Sequence, residues 1–183
     1  MRSGKTTAIV PIGGTEWNGE HIVLGKHNAR ARLLAGRIAQ SLGDALVAPV
    51  VAYVPEGRID PPTQHMKHAG TITIPEDAFE KTLESAARSL LHHGFTMVVL
   101  LGDHGGYLGN LRAVARRVPG VIVPDSYYRE MRHAGTEDTA STLAVDPALV
   151  RRDKGASVER GRQQLEATVT RTVEELKKAR LGR

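Results

Sequence analysis

Hydrophobic and polar positions along this chain fall into blocks that switch between two periods. Residues 7–12, TAIVPI, form a short apolar run of strand length, and residues 96–101, TMVVLL, are the most strand-like stretch in the chain. Residues 29–42 place Leu33, Leu34, Ile38 and Leu42 at helical spacing and stop at Gly43. Residues 45–51, ALVAPVV, read as a second strand, and residues 71–74, TITI, as a short one. Pro75 with Glu76 and Asp77 opens a helix whose stripe is Phe79, Leu83, Ala87, Leu90 and Leu91, with Gly94 past its end. A helix near 108–117, a short strand at 121–123 and a C-terminal helix near 156–180, with Val158, Leu165, Val169, Val173 and Leu176 on one face, complete the order. Strands alternating with helices predict an α/β fold with a mainly parallel sheet and helices on both faces. Ligands of such sheets collect beyond the carboxyl ends of the strands. Attention therefore falls on residues 13–28, after the first strand, and residues 102–110, after the strand at 96–101.

Composition narrows the picture. The 183 residues suit a single domain, 1–183, and 40% apolar content suffices for one core, filled mostly by aliphatics because aromatics are only 4%. No run approaches the roughly 18 apolar residues of a membrane span, so no membrane partner is expected. The N-terminus lacks the apolar run and cleavage site of a signal peptide. The absence of cysteine excludes disulfide frameworks and thiolate metal sites. This fits the cytoplasm and is compatible with an exported mature form. The net charge of +5 would suit a nucleic-acid partner. The bases, however, are interleaved with acids, as at Arg160, Arg162, Arg171, Lys177 and Lys178 among Glu159, Glu166, Glu174 and Glu175. That is the pattern of a solvated helix face, and no nucleic-acid partner is expected. The Gly4-Lys5-Thr6 tripeptide lacks the preceding strand that a phosphate loop requires, and Lys5 reads as a solvated lysine.

The chemistry sits in three clusters. GTEWNGEHIVLGKHN, residues 14–28, holds Glu16, Glu20, His21 and His27 in one irregular segment. Glu16 and His27 are too far apart in sequence for one regular element, so a loop must fold back to join them. Glu16 reads either as a metal ligand or as a loop carboxylate accepting backbone N–H bonds, and His21 as a packed loop residue rather than a ligand. LGDHGGYLGN pairs Asp103 and His104 with Gly102, Gly105 and Gly106; it reads as a ligand or base site, or as a turn with an Asp–His hydrogen bond. RHAGTEDTAS contributes His133 and Asp138, which read as an acid and a base facing that site or as part of a simple turn. His65, His68, His92 and His93 read as surface or loop residues, the last two at a helix end where the dipole favours histidine.

Taken together, PIGGTEWNGEHIVLGKHN, HAGTITI at 68–74, HHGFTMVVLLGDHGG at 92–106 and HAGTEDTAS at 133–141 resemble the creatininase (creatinine amidohydrolase) family. The resemblance implies a three-layer α/β/α sandwich, a metal-dependent hydrolase of cyclic or linear amide C–N bonds, a small-molecule substrate, and a homo-oligomer, typically a hexamer. It places metal ligands on Glu16, His27 and His104. It also exposes two departures: the family usually has His at Asn18 and Asp at His27, and the latter bridges two metals in creatininases. A carboxylate can hold two ions about 3.5–4 Å apart, whereas the two nitrogens of an imidazole point different ways. The expectation is therefore one divalent ion per chain, Zn²⁺ first, with Mn²⁺ or Fe²⁺ as alternatives. His133 is then the candidate acid for the leaving nitrogen, and Asp138 the candidate base or an orienting group. Asn18, Glu20, His21, Lys26 and Asp103 are candidates for supporting or substrate-facing roles: Glu20 lines the pocket or faces solvent, and Lys26 attracts an anionic substrate or is solvated. A ligand-binding relative without catalysis and a hydrolase of a cyclic ketone or sugar-derived ring are the competing readings.

Overall fold

The computed structural model describes residue 4, residues 6–128 and residues 133–181; the expectation for Lys5 falls outside them. Four parallel strands, β1 (Thr7–Ile12), β2 (Ala45–Val47), β3 (Met97–Gly102) and β4 (Val121–Ile122), lie in the order β2-β1-β3-β4. Every residue of β1 and β3 is buried, as their unbroken apolar runs require when both sheet faces are covered. Side chains alternate across the sheet. Ala8, Val10, Ile12, Val98 and Leu100 pack with α2 (Glu76–His92) and α3 (Leu108–Arg117). Ile9, Met97, Val99 and Leu101 pack with α1 (Lys26–Leu42) and α5 (Val158–Leu181) on the other face. This is the expected three-layer α/β/α arrangement. Helix α4 (Thr136–Val145) packs closely on α5. A Cβ on Gly161 would fall 2.0 Å from the Ala140 carbonyl oxygen, so only glycine permits that crossing.

The α2 stripe shows why local pattern predicts this fold well. Pro75 precedes its first turn, Glu76 and Asp77 lie in that turn, and Phe79, Leu83 and Ala87, each four residues apart, are buried. Each large apolar side chain buried in this way contributes roughly 1.5–3 kcal/mol.

The structure departs from the pattern at three places. β2 ends at Val47 instead of running to residue 51: Ala48 N–H still donates to Ile9 O at 2.8 Å, but Pro11 on the facing strand has no N–H to return the next bond. The chain rejoins the sheet at Val51, whose N–H donates to the Pro11 carbonyl at 2.9 Å. Residues 71–74 form no strand; Thr73 makes an isolated bridge to Val54, and Ile72 N–H donates to Thr15 O at 2.9 Å, pinning the loop of residues 53–70 to the carboxyl edge of β1. Most of the 133–141 cluster is the start of α4, where Asp138 to Leu143 are buried, so burial overrides the turn reading.

Ile12 is in register with Gly102, so the loops leaving β1 and β3 emerge side by side. From β1 the chain steps outward to β2 and then returns to β3 on the other side, which makes this the switch point of the sheet. Tyr107, fully buried, clamps the two loops: its hydroxyl lies 2.6 Å from Gly13 O and 2.9 Å from Ile12 O and accepts from His104 N–H at 3.2 Å. Among the described residues, no helix is long and apolar enough to cross a membrane.

Candidate metal centre at the carboxyl edge

The loop after β1 is shaped by a few polar contacts. Asn28 Oδ1 accepts from Gly14 N–H at 3.0 Å, and a Cβ on Gly13 would sit 2.1 Å from that oxygen, so the close approach needs glycine. Gly19 turns the chain with φ +71°. Asn18 Nδ2 donates to the carbonyls of Glu16 (2.9 Å), Val23 (2.9 Å) and Leu24 (3.2 Å). Its amide nitrogen thereby braces the loop, while Oδ1 is buried without a hydrogen bond among the described residues. The loop ends where α1 begins, at Lys26, so that Lys26, His27 and Arg30 are all buried in the first turns of that helix.

The fold gathers four imidazoles around the fully buried Glu16 carboxylate. His27 Nε2 is 2.8 Å and His133 Nδ1 3.4 Å from Oε1; His65 Nε2 is 3.1 Å and His104 Nε2 3.6 Å from Oε2. Glu56, also fully buried, brings Oε2 to 3.3 Å from His104 Nε2. His133 Nε2–H donates to the Trp17 carbonyl at 2.9 Å, which leaves the Nδ1 lone pair facing Glu16. Neither Glu16 Oε2 nor either oxygen of Glu56 receives a hydrogen bond among the described residues: the nearby ring nitrogens are not aligned to donate. Buried carboxylate oxygens without donors are costly, and a cation would satisfy them. Two donor groups meet this requirement: Glu16, Glu56, His65 and His104, and Glu16, His27 and His133, each with ligand atoms within 4.8 Å of one another. The residues present therefore fit a divalent ion.

A charged layer supports this shell. Asp103 Oδ2 lies 2.7 Å from His27 Nδ1, closer than Arg30 Nη2 at 3.3 Å, and Arg30 is itself bound to Asp103 at 2.9 Å. Tyr127 Oη donates to Asp103 Oδ1 at 2.9 Å. Arg30 Nη1 also donates to Asp138 Oδ1 at 2.7 Å and to Ser141 Oγ at 2.8 Å, while Lys26 pairs with Asp138 Oδ2. The titration of these groups follows their neighbours. Burial pushes Glu16 up, but the His27 hydrogen bond and the fields of His104, His27 and His65 outweigh it and bring its carboxyl down to about 2. Burial raises Glu56, and the neighbouring His104 offsets this only in part while the Glu16 carboxylate adds to it. Asp138 is held far below the carboxylate range, because Arg30 and Lys26 overcome the burial that would raise it. His65 and His133 are both lowered, chiefly by burial.

The candidates from the sequence sort as follows. Glu16, His27, His104 and His133 converge, with His27 on one carboxylate oxygen of Glu16 and His104 on the other. Asp138 lies behind them, its oxygens taken up by Lys26, Arg30 and the Ala134 N–H, a geometry that suits the orienting role rather than a base. The solvated reading of Lys26 is corrected: it is buried and paired, because Asp138 compensates its charge in the interior. Of the surface and loop readings of His65 the loop holds: the turn Gln64–Lys67 swings its half-buried ring over Glu16. Glu20 is exposed. His21 is buried with Nε2 3.2 Å from Thr139 Oγ1, apart from the cluster. His68 stacks on Trp17 at 4.1 Å, and His92 and His93 are exposed at the end of α2. Sequence reasoning missed Glu56, His65 and Arg30. Arg30 lies four residues after Lys26, a spacing that shares a helix face; Glu56 and His65 lie in an irregular loop with no periodicity to mark them.

Comparison with known proteins agrees with this architecture. The creatininase family, described as creatinine amidohydrolase, matches residues 1–180. The chain belongs to that family. Among curated relatives, the mycofactocin precursor peptide peptidase of Mycolicibacterium smegmatis is 31% identical over 159 residues, covering 80% of this chain and 60% of that protein. The protein of the same name from Mycobacterium tuberculosis is 32% identical over 168 residues, covering 84% and 64%. This chain thus spans under two thirds of the length of those relatives. A solved creatininase mutant of Zn-Zn type is 20% identical, covers 97% of this chain and 92% of its own and has a TM-score of 0.78; a structure named creatininase Mn has the same coverage, identity and TM-score.

Proposed function

We propose that this chain is a metal-dependent hydrolase that cleaves an amide C–N bond, cyclic or linear. One observation carries the reading: a single buried carboxylate, Glu16, is approached by the nitrogens of His27, His65, His104 and His133. Glu16, His27 and His104 form the starting ligand set, with Zn²⁺ as the first choice and Mn²⁺ or Fe²⁺ as alternatives, one ion per chain. A bound ion supplies a water acidified toward neutrality and a positive charge beside the carbonyl oxygen.

The protein's own groups do the rest. Asp103 takes the Nδ1 proton of His27 in a hydrogen bond and fixes the ring against Glu16. His133, with Nε2–H committed to the Trp17 carbonyl, exchanges protons at Nδ1. It takes a proton there and passes it to the leaving nitrogen. Asp138 holds Lys26 and Arg30 in place, and Arg30 in turn holds Asp103. The cleft over these groups measures about 180 Å³ and is lined in part by Lys26, His65, His104, Tyr128 and His133. An adjoining cleft of about 620 Å³ meets it at Gly106 and gives room for the rest of a small substrate. The relatives named as peptidases support a linear amide, and the family name supports a cyclic one. Assembly as a homo-oligomer, a hexamer by resemblance to the family, belongs to the same proposal.

Metal content together with hydrolysis tests the reading. Chelator-stripped protein reloaded with Zn²⁺ or Mn²⁺ is expected to take up one ion per chain and to open or cleave a substrate in a panel of lactams, cyclic ureas and short peptides. His104→Ala is expected to lose both properties. Unchanged uptake in His104→Ala, or full activity of stripped protein, would remove the assignment.

A further inference from the structure

We infer that the ion is held by Glu16 Oε2, Glu56, His65 and His104, and that His27 positions Glu16 instead of ligating. The inference rests on the metal-dependent reading above and reassigns its donors.

His27 has no lone pair left to offer. Its Nδ1 is 2.7 Å from Asp103 Oδ2 and its Nε2 2.8 Å from Glu16 Oε1, so both ring nitrogens are committed to carboxylates. Held on its Oε1 side, Glu16 turns Oε2 the other way. There the orphaned atoms collect: Glu16 Oε2, Glu56 Oε1 and Glu56 Oε2, all buried and without a hydrogen bond among the described residues. Both side chains are 0% exposed, and their oxygens face the nitrogens of His65 and His104. The ligand atoms of these four residues lie within 4.8 Å of one another.

The loop is built to deliver Glu56. Its backbone N–H donates to Thr73 Oγ1 at 2.9 Å, and that hydroxyl donates to Gly57 O at 3.0 Å. Farther along, Arg58 N–H donates to Thr63 Oγ1 at 2.8 Å and Thr63 N–H to Arg58 O at 3.1 Å, which closes the loop just ahead of the turn bearing His65. A Cβ on Gly14 would stand 2.9 Å from Glu56 Oε1, so glycine there lets the carboxylate reach Glu16.

Charge balance agrees. The buried acids Glu16, Glu56, Asp103 and Asp138 outnumber the buried bases Lys26, Arg30 and a His27 that donates from both ring nitrogens, so the cluster keeps a net negative charge for a cation to meet. Two carboxylates with two imidazoles form a mixed oxygen–nitrogen set that suits Zn²⁺, Mn²⁺ or Fe²⁺. Two of the four donors then come from residues 53–70, one from the loop after β1 and one from the loop after β3, and Asn18 keeps its bracing role.

Titration of the stripped full-length chain with Zn²⁺ measures stoichiometry and affinity, and Co²⁺ reports the ligand field through its visible absorption. The wild-type chain is expected to bind one ion. Glu56→Gln and His65→Gln are expected to weaken uptake by more than about 100-fold, beyond the roughly 10–100-fold loss typical of a supporting group, and to shift the Co²⁺ band. His27→Gln is expected to keep the wild-type Co²⁺ band and to lose no more than a supporting group does. Apo melting curves check that each variant folds; should one of the first two misfold, the other is read in its place. Wild-type affinity and band in those two, with uptake abolished in His27→Gln, overturns the inference and returns the ion to the His27 set, leaving the hydrolase reading intact. A wild-type chain that binds no ion overturns both.

Discussion

Helices α1 and α2 are each 17 residues long and cover opposite faces of the same sheet, yet they begin in opposite ways. The first turn of α2 is exposed and carries Glu76 and Asp77, the charges that a helix N-terminus favours. The first turns of α1 are buried and contain no acid; Lys26, His27 and Arg30 stand there instead. Two buried cations at a positive helix end oppose the dipole and lose their hydration. They are stable only because Asp103 and Asp138 reach them from the loop after β3 and from α4. Local rules therefore govern α2, while tertiary electrostatics govern the start of α1.

The largest effect is expected from Arg30→Met. It leaves Asp103 and Asp138 with a buried cation missing and should cost about 3–5 kcal/mol. Ion uptake should fall as well, because Asp103 loses the partner that steadies it against His27. Denaturant unfolding and metal titration read the two losses, and a variant as stable as wild type would break the contrast between the helices. Leu83→Ala in the apolar stripe of α2 is expected to cost about 3 kcal/mol through its cavity while leaving Zn²⁺ affinity unchanged. A metal defect in this variant would show that the two faces are coupled.

The smallest effect lies at the other end of α1, where Asp44 pairs with Arg180 at 2.6 Å and accepts from Thr6 Oγ1 at 2.6 Å. Burial would raise this carboxyl, but the Thr6 and Arg180 hydrogen bonds lower it from its ordinary value of 3.8. A carboxyl lowered in the folded state adds stability above the ordinary value and loses it as pH falls through the lowered one. Asp44→Asn should therefore cost a few tenths to about 1 kcal/mol at neutral pH, and the gap should close in acid below that range. A gap of constant size down to pH about 2 would contradict the assignment.

Much of the fold could be read from the chain. TAIVPI is β1 residue for residue, the strand expected at 96–101 is β3 shifted by one position, and the stripe of Phe79, Leu83 and Ala87 is the buried face of α2. These elements are decided by periodic burial, which the sequence displays directly. The short pieces were harder: β2 stops before Pro49, and residues 71–74 pair only through Thr73, because their partners lie far away in sequence.

At the site, sequence alone put Glu16, His27 and His104 in the segments that follow the strands at 7–12 and 96–101, while for His133 it left a simple turn open. Only the tertiary structure decided which oxygen of Glu16 each imidazole meets, and that Glu56 and His65 descend from an irregular loop to complete the cluster. It also decided that Lys26 is interior, because Asp138, 112 residues away, neutralises it. The physical reason is common to all three: burial and period leave a local trace in the order of residues, whereas charge compensation and donor convergence depend on distances that exist only after the sheet has formed.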